Sequence, residues 1–163
     1  MNQLHQLTQA MIAYDGGVPK RIQHFLKVHS FAKLIGEEEH LDEQELFILE
    51  AAALVHDIGI RPAKEKYGSS DGKLQEKEGV APAKKMLSSL AFAQEVIDRV
   101  CYLVAHHHTY DQVDGPDYRI LLEADALVNL YEDQVPLSAV EASLERVFRT
   151  KSGTDICRRM FFG

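Results

Sequence analysis

The chain has 163 residues, a net charge of −7 and an apolar content of 45%, which is typical of one soluble globular domain with a sizeable core. Its basic residues form no long block, so we expect no general binding to nucleic acids or to anionic membranes. No apolar run reaches the length of a membrane span, and we expect no secretory signal at the N-terminus. The two cysteines, Cys101 and Cys157, suggest no disulfide framework, so we predict a cytoplasmic protein.

Helical patterns follow one another along the chain, and no segment shows the alternation of a strand. The predicted helices cover approximately residues 2–14, 19–39, 42–57, 74–87, 92–107, 117–131 and 136–148. The stretches from Arg61 to Lys73 and from Thr109 to Pro116 are predicted to be polar loops. The sequence therefore predicts an all-α fold in a single domain, residues 1–163, with a core over about residues 20–132 and a C-terminal helix and tail over residues 136–163.

Ionisable residues interrupt three of these apolar helices. His56 and Asp57 end the third helix, His29 lies among apolar residues of the second, and Asp125 lies within the apolar run of a later helix. Buried polar groups need partners, and two imidazoles with two carboxylates suit a divalent transition metal such as Mn, Fe, Co, Ni or Zn. Because His24 is five positions from His29, we expect it to point away from such an ion.

The order His29, His56-Asp57, Asp125 resembles the HD-domain superfamily of metal-dependent phosphohydrolases. The resemblance covers residues 22–131 and implies an all-helical core in which these four residues bind the metal. It also implies hydrolysis of a phosphate ester or anhydride by a metal-activated water, with a nucleotide or a related phosphorylated small molecule as the substrate.

Three consecutive histidines, His106-His107-His108, follow another apolar helix. On helical geometry His107 should point inward with the apolar face, His106 is a second candidate, and His108 should point outward. We therefore predict His106 and His107 as catalytic residues that move a proton or steady the leaving group. In a related branch that cleaves cyclic dinucleotides, paired histidines and one further histidine hold a second metal. Gln75 stands at that further position here, so we favour one metal, while a second stays possible.

Basic residues near the HD dipeptide are candidates for binding the substrate phosphate. Arg61 and Lys73, at the two ends of the predicted loop, are the tentative choices. The stretch Ile58-Gly59-Ile60 lacks the acidic residues that guanosine-tetraphosphate hydrolases and 5′-nucleotidases of this superfamily place there, which argues against those two activities.

Two other functions stay open at this point. One is an HD-fold di-iron oxygenase, and the other is a non-catalytic domain that binds a nucleotide and keeps the metal for structure or regulation. The expected partner in each case is a small molecule, and a homo-oligomer is possible.

Overall fold

The computed structural model describes residues 2–163, so Met1, the first residue of the predicted domain, lies outside the described residues. Over this range the chain forms helices and no β-strand, which confirms the predicted all-α fold. The helices are α1 (Gln3–Tyr14), α2 (Pro19–Glu38), α3 (Glu43–Val55), α4 (Ile60–Tyr67), α5 (Gly72–Ser89), α6 (Gln94–His106), α7 (Pro116–Glu132), α8 (Leu137–Arg146) and α9 (Lys151–Phe162).

Helix α3 lies at the centre of the fold. Its residues 48–55 are all buried, and it contacts α1, α2, α6 and α7. It begins with a capping box, in which Asp42 accepts a hydrogen bond from the Glu45 N–H while the Glu45 carboxylate accepts one from the Asp42 N–H. This box satisfies two N–H groups that the helix itself leaves unpaired. The last residues of α3 therefore bring His56 into the interior.

Two segments that we predicted to be irregular are helical. The first, α4, covers the first half of the predicted loop from Arg61 to Lys73 and begins one residue before it. Pro62 is compatible with it because a proline in the first turn removes an N–H that has no intrahelical partner. Gly68 ends α4 with φ +66°, a left-handed conformation that favours glycine.

The second is α9, which replaces the predicted C-terminal tail. The buried carboxylate of Glu123, on α7, accepts hydrogen bonds from the backbone N–H groups of Arg149 (2.8 Å) and Thr150 (3.0 Å), just before α9 begins. The Thr150 hydroxyl in turn caps α9 through the Gly153 N–H. These bonds hold the end of the chain against α7.

The turn after α3 approaches α5 very closely. A Cβ atom on Gly59 would lie 2.9 Å from the backbone of Gly79 and would also collide with the carbonyl oxygen of Gln75. On the other side, a Cβ atom on Gly79 would lie 2.8 Å from the Val104 side chain, on α6. The two glycines thus let α5 pack directly against the turn that carries His56 and Asp57 and place Gln75 beside it. No helix in residues 2–163 has the length and apolar character needed to cross a membrane.

Candidate metal centre

Four ionisable side chains from three helical regions converge below the end of α3. His24 Nε2, on α2, lies 3.1 Å from Asp125 Oδ1, on α7, and 3.2 Å from Asp57 Oδ2. His56 Nε2 lies 3.3 Å from each of these carboxylate oxygens and from His24 Nε2. His56 is completely buried, and His24 and Asp125 are almost so. We call these four residues the HD cluster.

The first histidine of the predicted quartet has to be corrected. His29 does not reach the HD cluster, because its Nε2 lies 3.0 Å from Glu50 Oε1 on the flank of α2 that faces α3. His24, which we expected to point away, occupies the position that we assigned to His29. Five residues of an α-helix turn the side-chain direction by about 140°, so the two imidazoles leave α2 on different flanks. The structure brings His56, Asp57 and Asp125 together as expected.

The sequence carried a signal for His24. Val28 and Ala32 are fully buried, and His24 lies one helical turn before Val28 in the same row of residues spaced by four. A histidine that continues a buried row is directed into the core. Our prediction of His29 rested on its apolar neighbours, which lie at the edge of the buried face of α2.

In both imidazoles of the HD cluster, the Nδ1 atom makes a hydrogen bond outside the cluster. His24 Nδ1 lies 2.7 Å from Glu132 Oε1, and His56 Nδ1 lies 2.7 Å from the carbonyl oxygen of Ala53. Since both partners only accept hydrogen bonds, each Nδ1 carries the proton, and a neutral ring then has its lone pair on Nε2. Both Nε2 atoms face the two carboxylates. This arrangement, with a carboxylate or carbonyl behind each imidazole, is typical of histidines that bind metals, so the donor set fits a divalent cation.

The same contacts dominate the electrostatics of the HD cluster in the absence of a cation. Burial opposes protonation of His24, but its hydrogen bonds with Asp125 and Asp57 outweigh this effect and raise its pKa to about 10. Burial alone would raise the pKa of Asp57, yet the neighbouring positive charge of His56 holds that pKa well below its usual range. Two ionised carboxylates therefore need positive charge between them, which either protons or a metal ion supply.

A second group of donors adjoins the first and shares Asp57 with it. His107 Nε2 lies 3.4 Å from Asp57 Oδ1, and Asp57, His107 and His108 are close enough to hold one ion together. Gln75 Oε1 lies 2.9 Å from His108 Nε2 and 3.3 Å from His107 Nε2. The Gln75 amide group donates to the carbonyl oxygen of Ser70, which fixes the orientation of its oxygen toward the histidines.

The three consecutive histidines divide differently from our prediction. His106 is not brought to the HD cluster, because its Nδ1 donates to the Tyr102 carbonyl at 2.7 Å and its ring stacks on Tyr102. His108, which we expected to point outward, turns back toward the centre because α6 ends at His106 and the chain then bends. Burial and the neighbouring His107 lower the pKa of His108 to about 4, so its ring is neutral at pH 7. His107 lies where we expected it.

A buried glutamate, Glu76, holds this bend in place. Glu76 Oε2 accepts hydrogen bonds from the His108 N–H and the Thr109 hydroxyl, both at 2.9 Å. Burial alone would raise the pKa of Glu76, but these hydrogen bonds outweigh the burial, so the pKa lies below its usual value. Glu76 follows Gln75 directly, so the start of α5 positions two neighbouring parts of the centre.

The HD cluster forms one wall of a cleft of about 330 Å³. Neither Arg61 nor Lys73 lines it: Arg61 donates to the carbonyl oxygen of Tyr14 at 2.6 Å, and Lys73 bonds to Glu76 and Thr109. The cations that line the cleft come from the start of α2 and from α4, and they are Lys20, Arg21 and Lys64. Lys64 lay within the segment that we predicted to be a loop, where helical spacing could not be used to orient it.

The chain is similar to known proteins both in sequence family and in fold. A family model described as the HD domain matches residues 21–140. The crystal structure of a predicted HD superfamily hydrolase from an uncultured Thermotogales bacterium is similar to this fold, with a TM-score of 0.69 and 22% identity over 97% of this chain and 84% of that chain. No curated protein matches the chain significantly. At this identity the structural likeness concerns the fold alone.

Proposed function

Because the chain belongs to the HD domain family, we propose that it is a metal-dependent phosphohydrolase that acts on a phosphate ester or anhydride in the cytoplasm. The observation that carries the proposal is the convergence of two imidazoles and two carboxylates at the wall of a cleft that three cations line. Carboxylates favour a metal ion, whereas cations favour a phosphate, and this cleft contains both.

In this proposal the HD cluster residues His24, His56, Asp57 and Asp125 hold one divalent transition metal. When bound, such an ion would supply polarisation of a phosphoryl oxygen and a water whose lowered pKa makes hydroxide available near neutral pH. The two carboxylates balance its charge, and the neutral imidazoles add affinity without adding charge. Glu132 and the Ala53 carbonyl keep the imidazole lone pairs directed inward.

The remaining side chains have separate roles. His107 Nδ1 donates to the Val104 carbonyl at 2.7 Å, so its Nε2 is free to accept a proton beside Asp57. We assign to His107 Nε2 the proton transfer at the reacting centre. Lys64 and Arg21, which line the same cleft, offset the charge of the substrate phosphate.

The test is the substitution Asp57→Ala, with Asp98→Ala on the exposed surface of α6 as its matched control. We expect Asp57→Ala to abolish both retention of the metal and release of phosphate from 4-nitrophenyl phosphate, because Asp57 belongs to both donor groups. Metal content is measured by elemental analysis and turnover by a colorimetric assay with Mn, Fe, Co, Ni and Zn. Full phosphatase activity in the Asp57→Ala protein would disprove the assignment.

A second candidate function, a di-iron oxygenase, has one observation in its favour. Asp57 is shared by two groups of metal donors, as a bridging carboxylate between two ions would be. Against it, an amide stands at Gln75 where a histidine would complete the second site. Elemental analysis of protein purified without added metal separates the two functions, since close to two irons per chain would favour the oxygenase.

A further inference from the structure

One side of the cleft carries positive charge that nothing else uses. Lys20 lies one helical turn before His24 on α2, and Lys64 lies one turn after Ile60 on α4. Among residues 2–163, neither ammonium group lies within ion-pair distance of a carboxylate, while Arg21 makes one contact of 3.5 Å with Asp15. Unpaired cations that face a cleft beside a metal centre suit a single phosphate group.

The part of the cleft that α7 and its C-terminal end line is polar and partly acidic. Asn129 on α7 and Asp133 at its C-terminal cap lie four and eight residues after Asp125, and all three line the cleft. Glu132 lies beside them and is occupied by His24 and Lys27. This leaves the Asn129 amide and the Asp133 carboxylate as hydrogen-bonding groups for the organic part of a substrate. Carboxylate and amide oxygens pair well with hydroxyl groups.

The cleft offers little to a nucleobase. No Phe or Tyr is among the described residues that line it, and only Val18 and Ile60 are apolar. The His108 ring is bonded to Gln75 and faces the metal centre. A base needs apolar or aromatic surface to replace water on its two faces. The volume of about 330 Å³ also lies near the lower end of small-molecule sites, which span roughly 300–1,000 Å³.

We propose that the cleft selects a small phosphomonoester with a hydroxyl-rich organic part, such as a sugar phosphate, over a nucleotide. This inference rests on the proposed phosphohydrolase function and names its substrate class. The phosphate lies between the HD cluster and the wall of Lys20 and Lys64, and the hydroxyl groups bond to Asn129 and Asp133. A chain of further phosphates would meet the carboxylate of Asp133, so polyphosphates are disfavoured by like charge.

The experiment compares ribose 5-phosphate with AMP, in which the adenine base replaces the hydroxyl group on C1 of the ribose. Phosphate release by the metal-loaded full chain is measured for both, with ATP and 2-aminoethyl phosphate as further arms. We expect kcat/KM for ribose 5-phosphate to exceed that for AMP by about tenfold, and ATP to be the poorest substrate. An equal or higher kcat/KM for AMP or ATP would overturn the proposal, and a preference for 2-aminoethyl phosphate would overturn its hydroxyl-rich part.

Two variants separate the two walls. Lys64→Gln should lower kcat/KM for ribose 5-phosphate and AMP in the same proportion, by about tenfold, because both carry the phosphate. Asp133→Ala should lower the ratio of kcat/KM for ribose 5-phosphate to that for 4-nitrophenyl phosphate, because only the sugar carries hydroxyl groups that this carboxylate can bond. The matched controls are Lys85→Gln and Asp98→Ala, both at exposed helix positions outside the cleft. A substrate ratio that Asp133→Ala leaves unchanged contradicts the assignment of the acidic wall.

Calorimetry keeps this test independent of turnover. If 4-nitrophenyl phosphate and every other arm go unhydrolysed with all five metals, the proposed function fails. The binding of ribose 5-phosphate and AMP to the metal-loaded protein then decides the inference by itself. Tighter binding of ribose 5-phosphate supports the selectivity of the cleft, and tighter or equal binding of AMP overturns it.

Discussion

Helix α2 carries two histidines with carboxylate partners, and they differ in nearly everything else. The side chain of His24 is 9% exposed and meets three carboxylates and a second imidazole, whereas that of His29 is 25% exposed and meets Glu50 alone. One acidic partner is enough to satisfy a half-buried histidine. Convergence of several groups from distant helices is what distinguishes a candidate metal site from an ordinary internal ion pair.

The largest expected effect separates the two histidines directly. We expect His24→Ala to lose the metal and to lower phosphate release at least about a hundredfold, since it removes one of four donors. His29→Ala should keep both, because its imidazole is directed at Glu50. Elemental analysis and a steady-state assay on both variants measure this. If His29→Ala lost its metal while His24→Ala kept it, the comparison would be reversed.

A smaller loss of metal affinity is expected from a change in Glu132, which contacts His24, a proposed metal ligand. Glu132→Gln weakens the acceptor behind His24 Nδ1, so metal affinity should fall by about tenfold in a competition titration with a chromophoric chelator. The matched change in the other pair is Glu50→Gln, for which affinity should not change. Equal losses in the two variants would mean that affinity reports general stability rather than the orientation of His24.

The smallest effect concerns the His29–Glu50 pair alone. A double-mutant cycle with His29→Ala and Glu50→Ala should give a coupling of about 0.5–1 kcal/mol in the free energy of unfolding, as expected for a partly exposed ion pair. The measurement is chemical denaturation of the three variants and the parent protein. A coupling above about 2 kcal/mol would show that this pair is more than a local contact.

The sequence predicted the elements whose signals are local. The Asp42–Glu45 capping box, the apolar run of α3 and the HD dipeptide at its end all appear where expected. The row of Val28 and Ala32 directs His24 into the core, but only the packing of α7, from far along the chain, shows that Asp125 meets it there. His108 was missed because its direction depends on a bend held by Glu76 rather than on the period of α6.

The helices α4 and α9 were not predicted, because their local sequence signals are weak. Helix α4 has one buried residue, Ala63, and α9 has two, Gly153 and Cys157, so each is mainly polar and buries little of its surface in the core. The terminal signals were nevertheless present in Pro62, Gly68 and Thr150. The predicted single domain, the small-molecule partner and the possible homo-oligomer stay predictions.

The bond between His24 and Asp125 joins positions 101 residues apart. Under the proposed function, an ion held by both residues closes a loop of that length. A covalent crosslink over about 100 residues restricts the unfolded chain by about 4–5 kcal/mol in the entropy model. Both cysteines of this chain are free thiols, so no disulfide supplies such a restraint. The ion would thus act as a removable crosslink, and the fold would be more stable whenever the metal ion is bound.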